Sequence, residues 1–183
     1  MNEGDYAVDT NAITTHPAWT SLLDHTNDTS RLYLIANGAG STVPLWQQTV
    51  NVQPGFTYNF SAWVADMCCG NVPSLNGLFP PSFRFNVTDG LNTTTVANFG
   101  MPLNNAGVWQ QFSGSYANFS ATSLVLTITN QNVVAGGNDL GVDDISFNVT
   151  GSVPEPSAWA MMLAGFGLVG FGMRRRGTAI VAA

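Results

Sequence analysis

Stretch after stretch of this chain alternates between apolar and polar residues, and that period of two constrains the fold more than any other feature. Trp46, Gln48, Val50 and Val52 alternate with Gln47, Thr49, Asn51 and Gln53 before Pro54-Gly55 turns the chain. Phe56, Tyr58, Phe60, Ala62 and Val64 alternate with Thr57, Asn59, Ser61 and Trp63. Phe83, Phe85 and Val87 do the same with Arg84, Asn86 and Thr88 up to Asp89-Gly90, as do Leu124, Leu126 and Ile128 with Val125, Thr127 and Thr129. Arg31–Ala36 is a mostly apolar run stopped by Asn37-Gly38, and Asp143–Val149 closes the series. Successive side chains of a strand point to opposite faces, so these segments read as half-buried strands. Residues 6–150 show no convincing helical period. Strands that follow strands through Gly, Pro and Asn turns predict an all-β, antiparallel β-sandwich over residues 1–150.

Beyond residue 150 the pattern changes. Residues 151–157 form a linker containing Pro154-Glu155-Pro156, and Ala158–Met173 is an uncharged run closed by Arg174, Arg175 and Arg176. A membrane-spanning helix needs about 17–25 apolar residues, so this run is at the short limit. Trp159 stands where an interfacial aromatic belongs, and the arginines suit a cytoplasmic C-terminus. A buried core helix would carry a polar face, which this segment lacks. The expectation is one short, hydrophobic transmembrane helix with its Arg cluster over 158–176, then a neutral tail over 177–183.

The charges divide in the same place. Residues 1–153 hold ten acids and two arginines, a net of −8, whereas the last thirty hold Glu155 and three arginines, a net of +2. There is no lysine, and only 9% of the chain is charged, against roughly 25% in a typical domain. A body this poor in cations cannot neutralise phosphates, which excludes nucleic acid as a partner. With 45% hydrophobic and 11% aromatic residues the chain can bury a core, which argues against disorder.

The succession Val153-Pro154-Glu155-Pro156, Trp159-Ala160, a glycine-rich apolar run and Arg174–Arg176 resembles the PEP-CTERM sorting signal of Gram-negative bacteria. That resemblance implies an exported protein. Its tail would sit transiently in the inner membrane, be recognised and cleaved there by an exosortase, and release the body to the cell surface or exopolysaccharide matrix. Such a route needs an N-terminal signal peptide, and Met1–Tyr6 shows neither a basic n-region nor an apolar h-region. The expectation is a natural start upstream of Met1.

Within the body, Trp46-Gln-Gln-x-Val-x-Val-x-Pro-Gly55, Tyr58-x-Phe-Ser-Ala-Trp63, Trp109-Gln-Gln-Phe112 and Gly141-Val-Asp-Asp-Ile-Ser-Phe147 resemble the galactose-binding-like jelly rolls, which include many carbohydrate-binding modules. Members usually open with a strand containing Asn-Gly and Phe-Glu, which is not found here. The resemblance therefore implies a sandwich without its first strand and with an open edge. It also implies a structural Ca²⁺ near the last strand, with Asp143, Asp144 and Asp139 as donors and further oxygen ligands from the first strand.

The residues themselves offer few sites. Trp63 lies on the polar side of its strand, with Asn59. Indole stacks on the C–H face of a sugar while amides and guanidinium bind hydroxyls, so Trp63, Asn59, Arg84 and Asn86 are a candidate glycan platform. The competing reading packs Trp63 under the loop 66–82. Asp143 shares its phase with Ile145, Phe147 and Val149, which points it inward, where a carboxylate needs a partner. Asp24, His16 and His25 are the candidates for acid–base or metal chemistry, but two histidines without a third ligand at suitable spacing are a weak metal signal. No nucleophile elbow, catalytic triad or phosphate loop is present. Adjacent Cys68 and Cys69 are read either as a vicinal disulfide that stiffens the 66–82 loop, as free thiols, or as an intermolecular pair.

Together these readings describe a non-enzymatic, exported surface or matrix protein with no required cofactor and with polysaccharide as candidate ligand. The alternative is a structural or adhesive biofilm-matrix component with no specific sugar.

Overall fold

A computed structural model describes residues 1–39, 42–69, 79–152 and 156–175. The elements in chain order are β1 (Tyr6–Asp9), α1 (Ala12–Thr15), β2 (Tyr33–Ala36), β3 (Pro44–Asn51), β4 (Phe56–Asp66), β5 (Ser82–Thr88), β6 (Thr93–Gly100), β7 (Gln110–Asn118), β8 (Ser123–Asn130), β9 (Leu140–Ser152) and α2 (Pro156–Arg175). The strands make two antiparallel sheets, in the orders β1-β2-β9-β4-β7 and β3-β8-β5-β6. Setting β1 aside, the interleaving of β2-β9-β4-β7 with β3-β8-β5-β6 is jelly-roll connectivity.

The alternation does what the period of two requires. Tyr58, Phe60, Ala62 and Val64 of β4, Phe83, Phe85 and Val87 of β5, and Leu124, Leu126 and Ile128 of β8 all meet in one core between the sheets. Phe60 and Phe85 stack across the sheet gap with ring centroids 3.3 Å apart, and Phe112 of β7 meets Phe60 edge-on. Each fully buried side chain of this kind contributes roughly 2 kcal/mol. A second, smaller core lies outside the five-stranded sheet. There Ala12, Trp19 and Leu22 of the segment before β2 pack on Tyr33, Ile35, Ala65 and Met67.

One sequence expectation is reversed by a β-bulge. Trp63 pairs with Asp143 and Ser61 with Ser146, so two residues of β9, Asp144 and Ile145, stand against Ala62 alone. Asp144 takes a left-handed conformation, φ +41°. The extra residue shifts the phase of β9. Phe147 lies opposite inward-facing Phe60, but Asp143 lies opposite outward-facing Trp63. Asp143 therefore does not point into the core as its spacing from Phe147 suggested.

The two long sides of the sandwich differ. On one, Gly114 of β7 lets β6 approach: a Cβ there would lie 2.3 Å from the Val96 carbonyl oxygen. On the other, β2 pairs with β9 only over Leu140–Val142. The rest of that β9 edge has no neighbouring strand among the described residues, and β3, the edge of the other sheet, faces it.

The C-terminal helix forms at Pro156–Arg175, two residues earlier than expected. No helix among the described residues is long and apolar enough to cross a membrane. The described side chains of α2, Met161, Leu163, Phe166 and Phe171 among them, are exposed.

Gly114→Ala is expected to destabilise the fold by about 1–3 kcal/mol, because the methyl meets backbone rather than a movable side chain. Thermal or urea unfolding measures it, and an unchanged midpoint would contradict the close approach of β6 to β7.

Candidate functional site

Trp63 marks the boundary between a covered and an open part of the five-stranded sheet. Above it, the segment before β2 is clamped down by two hydrogen bonds: the Tyr33 hydroxyl donates to the Leu22 carbonyl at 2.6 Å, and the Trp109 indole N–H to the Leu23 carbonyl at 2.8 Å. That clamp delivers Asp24 and His25 to the bulge. Asp24 accepts from the Thr26 hydroxyl and the Asp28 N–H at 2.7 and 2.6 Å. Burial pushes its carboxyl up, but those hydrogen bonds prevail and hold it below the usual range.

His25 then completes the corner. Its backbone N–H donates to Asp143 Oδ2 at 3.0 Å. Its Nδ1 lies 3.4 Å from Asp143 Oδ2 and 3.3 Å from Asp144 Oδ2. The imidazole stacks on Trp63, centroids 4.6 Å apart and planes 12° apart. Trp63 is thus half-buried beneath His25; of the loop 66–82 that the competing reading placed over it, residues 70–78 lie outside the described part. The bulge is what brings Asp143, Asp144, His25 and Trp63 together. Carboxylate and imidazole atoms of Asp24, His25 and Asp143 lie within 4.8 Å of one another.

Below Trp63 the sheet face is open. Ser61 pairs with Ser146 on one side and Ser113 on the other, and Asn59 with Asn148 and Ser115. With strands about 4.8 Å apart, this is an uncharged shelf of hydroxyls and amides headed by an indole. Arg84 and Asn86 do not belong to it. Both sit on β5 of the four-stranded sheet, in register with Thr129 and Thr127, and face away from the opposite side of the sandwich. There Arg84 donates to Asn98 at 3.1 Å and Asn86 accepts from Thr95 at 2.8 Å. The expected four-residue platform is corrected to two residues on each of two opposed faces.

Asp139 is likewise separated from Asp143 and Asp144. Four residues along a strand span about 13 Å, so one ion cannot be held by all three expected donors. Asp139 instead joins a buried pair with Asp66. Asp139 accepts from the Gly38 N–H at 3.0 Å, and Asp66 from the Cys68 N–H at 3.0 Å. Asp66 Oδ2 and Asn138 Oδ1 are buried without a hydrogen-bond partner. Burial, opposed by the Cys68 N–H and reinforced by the Asp139 charge, pushes the Asp66 carboxyl up to about 7. Burial also raises Asp139, against hydrogen bonds from Gly38 and Trp19. Beside the pair, Cys68 and Cys69 are bonded to each other across a cis peptide and buried. Asp66 escaped the sequence reading although it follows Val64 on the inward phase of β4, where an acid is anomalous.

Of the sorting residues, Val153, Pro154, Glu155 and Arg176 lie outside the described part, while Pro156, Trp159, Arg174 and Arg175 lie in α2. Residues 152–176 match the family described as PEP-CTERM protein-sorting motif, and the tail carries that motif. No curated protein matches the chain significantly. Among solved structures, a cyclase from Fischerella sp. TAU in complex with 4-(1H-indol-3-yl)butan-2-one is similar at 11% identity and a TM-score of 0.55, covering 81% of this chain and 76% of that one. The CBM22-1 xylan-binding domain of Paenibacillus barcinonensis Xyn10C is similar at 16% identity and a TM-score of 0.47, over 84% of this chain and 99% of that one. The CBM22-1–GH10 modules of Clostridium thermocellum endo-1,4-beta-D-xylanase 10B, complexed with xylohexaose, are similar at 16% identity and a TM-score of 0.49, over 80% of this chain. The chain spans 25% of that xylanase chain's length. At such identities the likeness to the cyclase is one of fold.

The raised carboxyl of Asp66 has a signed consequence. Its protonated form is favoured in the folded state, so its contribution is fully present below the unfolded value near 4 and is lost as pH rises through about 7. Thermal midpoints are expected to fall between pH 5 and 7.5, and Asp66→Asn to flatten that slope. An identical slope in the variant would place the titration elsewhere.

Proposed function

We propose that the chain is an exported, non-enzymatic surface protein whose tail is processed by an exosortase and whose β-sandwich binds glycan in the surface or matrix. The observation that carries the export reading is the sorting motif matched at 152–176, which begins at the last residue of β9. The glycan reading is supported by the shelf below Trp63, where Ser61, Asn59 and Asn148 offer uncharged hydrogen-bonding groups beside an aromatic ring. Xylan binding by the CBM22-1 domain, 16% identical to this chain, is a property of that protein, and glycan binding here stands on the shelf. Catalysis is not part of the reading, because His25 is engaged with two carboxylates and an indole rather than facing an open cleft. The same stacking covers one face of Trp63, which favours the second reading, an adhesive matrix component with no specific sugar.

Glu155→Ala in the native host, followed by cell fractionation, tests the sorting step. The wild-type body is expected at the surface or in the medium and the variant in the cell envelope, and equal release of both would refute processing through the motif. Polysaccharide pull-down with wild type and Trp63→Ala separates the glycan and adhesive readings.

A structural Ca²⁺ is not required by this reading. His25 is the neighbour of Asp143 and Asp144, and an imidazole-containing set differs from the all-oxygen cages calcium prefers. Ca²⁺ and chelator are expected to leave the thermal midpoint unchanged. A rise with Ca²⁺ that chelator reverses would instead place an ion at those carboxylates.

A further inference from the structure

The open side of the sandwich holds a groove of about 370 Å³, at the small end of the about 300–1,000 Å³ range of ligand pockets. Trp46, Gln48 and Val50 of β3 line one wall, Ile145 and Phe147 of β9 the other, and Tyr58 the floor. The position follows from strand pairing. β2 leaves β9 after Leu140–Val142, so nothing among the described residues closes the gap between the lower half of β9 and the edge strand β3.

Gln48 is the informative residue. It pairs with Leu126, between Trp46 on Ile128 and Val50 on Leu124, and so occupies the inward phase of its strand. Every other inward side chain in that series is apolar. The amide is exposed because the groove is open, and none of the hydrogen bonds among the described residues engages it. Beside it, Trp46 is half-buried, and Phe147 stacks parallel to Tyr58 with centroids 5.0 Å apart. No charged side chain lines the groove, although the surrounding body carries a net charge of −8. An aromatic-walled, uncharged slot with an unengaged amide suits a ligand with apolar C–H faces and neutral hydroxyls.

An added polypeptide strand fits less well. The ladder of β9 is interrupted by the bulge at Asp144–Ile145 and by a second at Thr150, since Tyr58 pairs with Val149 and Thr57 with Gly151. Bulges on an edge limit further pairing.

We propose that this groove is a subsite for a neutral polysaccharide, with sugar rings on Trp46 and Phe147 and hydroxyls on Gln48. The proposal rests on the glycan-binding reading above and names a second place for it.

Affinity electrophoresis of the full chain in gels containing xylan, mixed-linkage glucan, galactomannan or the uronate polymer alginate tests it. At least one neutral polymer, and not alginate, is expected to retard the wild type. Trp46→Ala and Gln48→Ala should each weaken that retardation about fivefold to tenfold, and Trp46→Phe by only about twofold. Gln48 is exposed, so its variant carries the test even where Trp46→Ala fails to fold. Full retardation of Gln48→Ala and of folded Trp46→Ala, with loss in Trp63→Ala, would overturn the groove while leaving glycan binding intact. No retardation of the wild type by any polymer would overturn both. If Trp46→Ala converts a dimer to a monomer on size-exclusion chromatography without changing retardation, a second copy of the chain occupies the groove and the proposal falls.

Discussion

The extra residue in β9 opposite Ala62 organises both surfaces of the five-stranded sheet. Above the bulge, β9 turns Asp143 outward to meet His25; below it, the same strand turns Ile145 and Phe147 inward to meet the core. Without it, one of the two sets would face the wrong way, since a slip of one residue exchanges the faces of a strand. The left-handed conformation of Asp144 is stabilised locally, its N–H donating to Asp143 Oδ1 at 2.8 Å. The segment before β2 depends on it as well, because the Asp143 carboxylate receives the His25 N–H that ends the clamp.

A second constraint is the scarcity of cations. With Arg31 and Arg84 the only basic residues of the body besides two histidines, most buried acids have no cationic partner, Asp143 beside His25 being the exception among those described. The chain meets the problem with N–H donors: Asp139 takes Gly38, Asp66 takes Cys68, and Asp24 takes Asp28. Where donors suffice, as at Asp24, the carboxyl is held low. Where they do not, as at Asp66, burial wins and the carboxyl is pushed up to about 7. A lysine-poor surface is thus reflected in the interior as an unusual reliance on the backbone.

The alternating segments made β3, β4, β5 and β8 legible, with the sandwich they imply, because each buries one whole face. β6 was not, since Thr93-Thr94-Thr95 at a sheet edge buries too little to leave a pattern. The candidate site was legible by residue type but not by arrangement. Trp63 and Asn59 share a face because one strand carries both, whereas Arg84 looked equivalent although it belongs to the other sheet. Asp143 was misread because alternation is blind to a bulge, whose signal is a backbone conformation rather than a residue type. His25 lies far from Asp143 in sequence, and no local pattern joins them.

β9 is also the strand that leads into the tail. It ends at Ser152, four residues before α2, and is hydrogen-bonded to β4 from Phe56 to Asp66. A pull on the tail along β9 would load that long ladder in shear, many bonds sharing the force, rather than opening it one bond at a time. The tail therefore continues from a 13-residue strand, the longest among the described residues, and a force on it is shared along the whole ladder with β4.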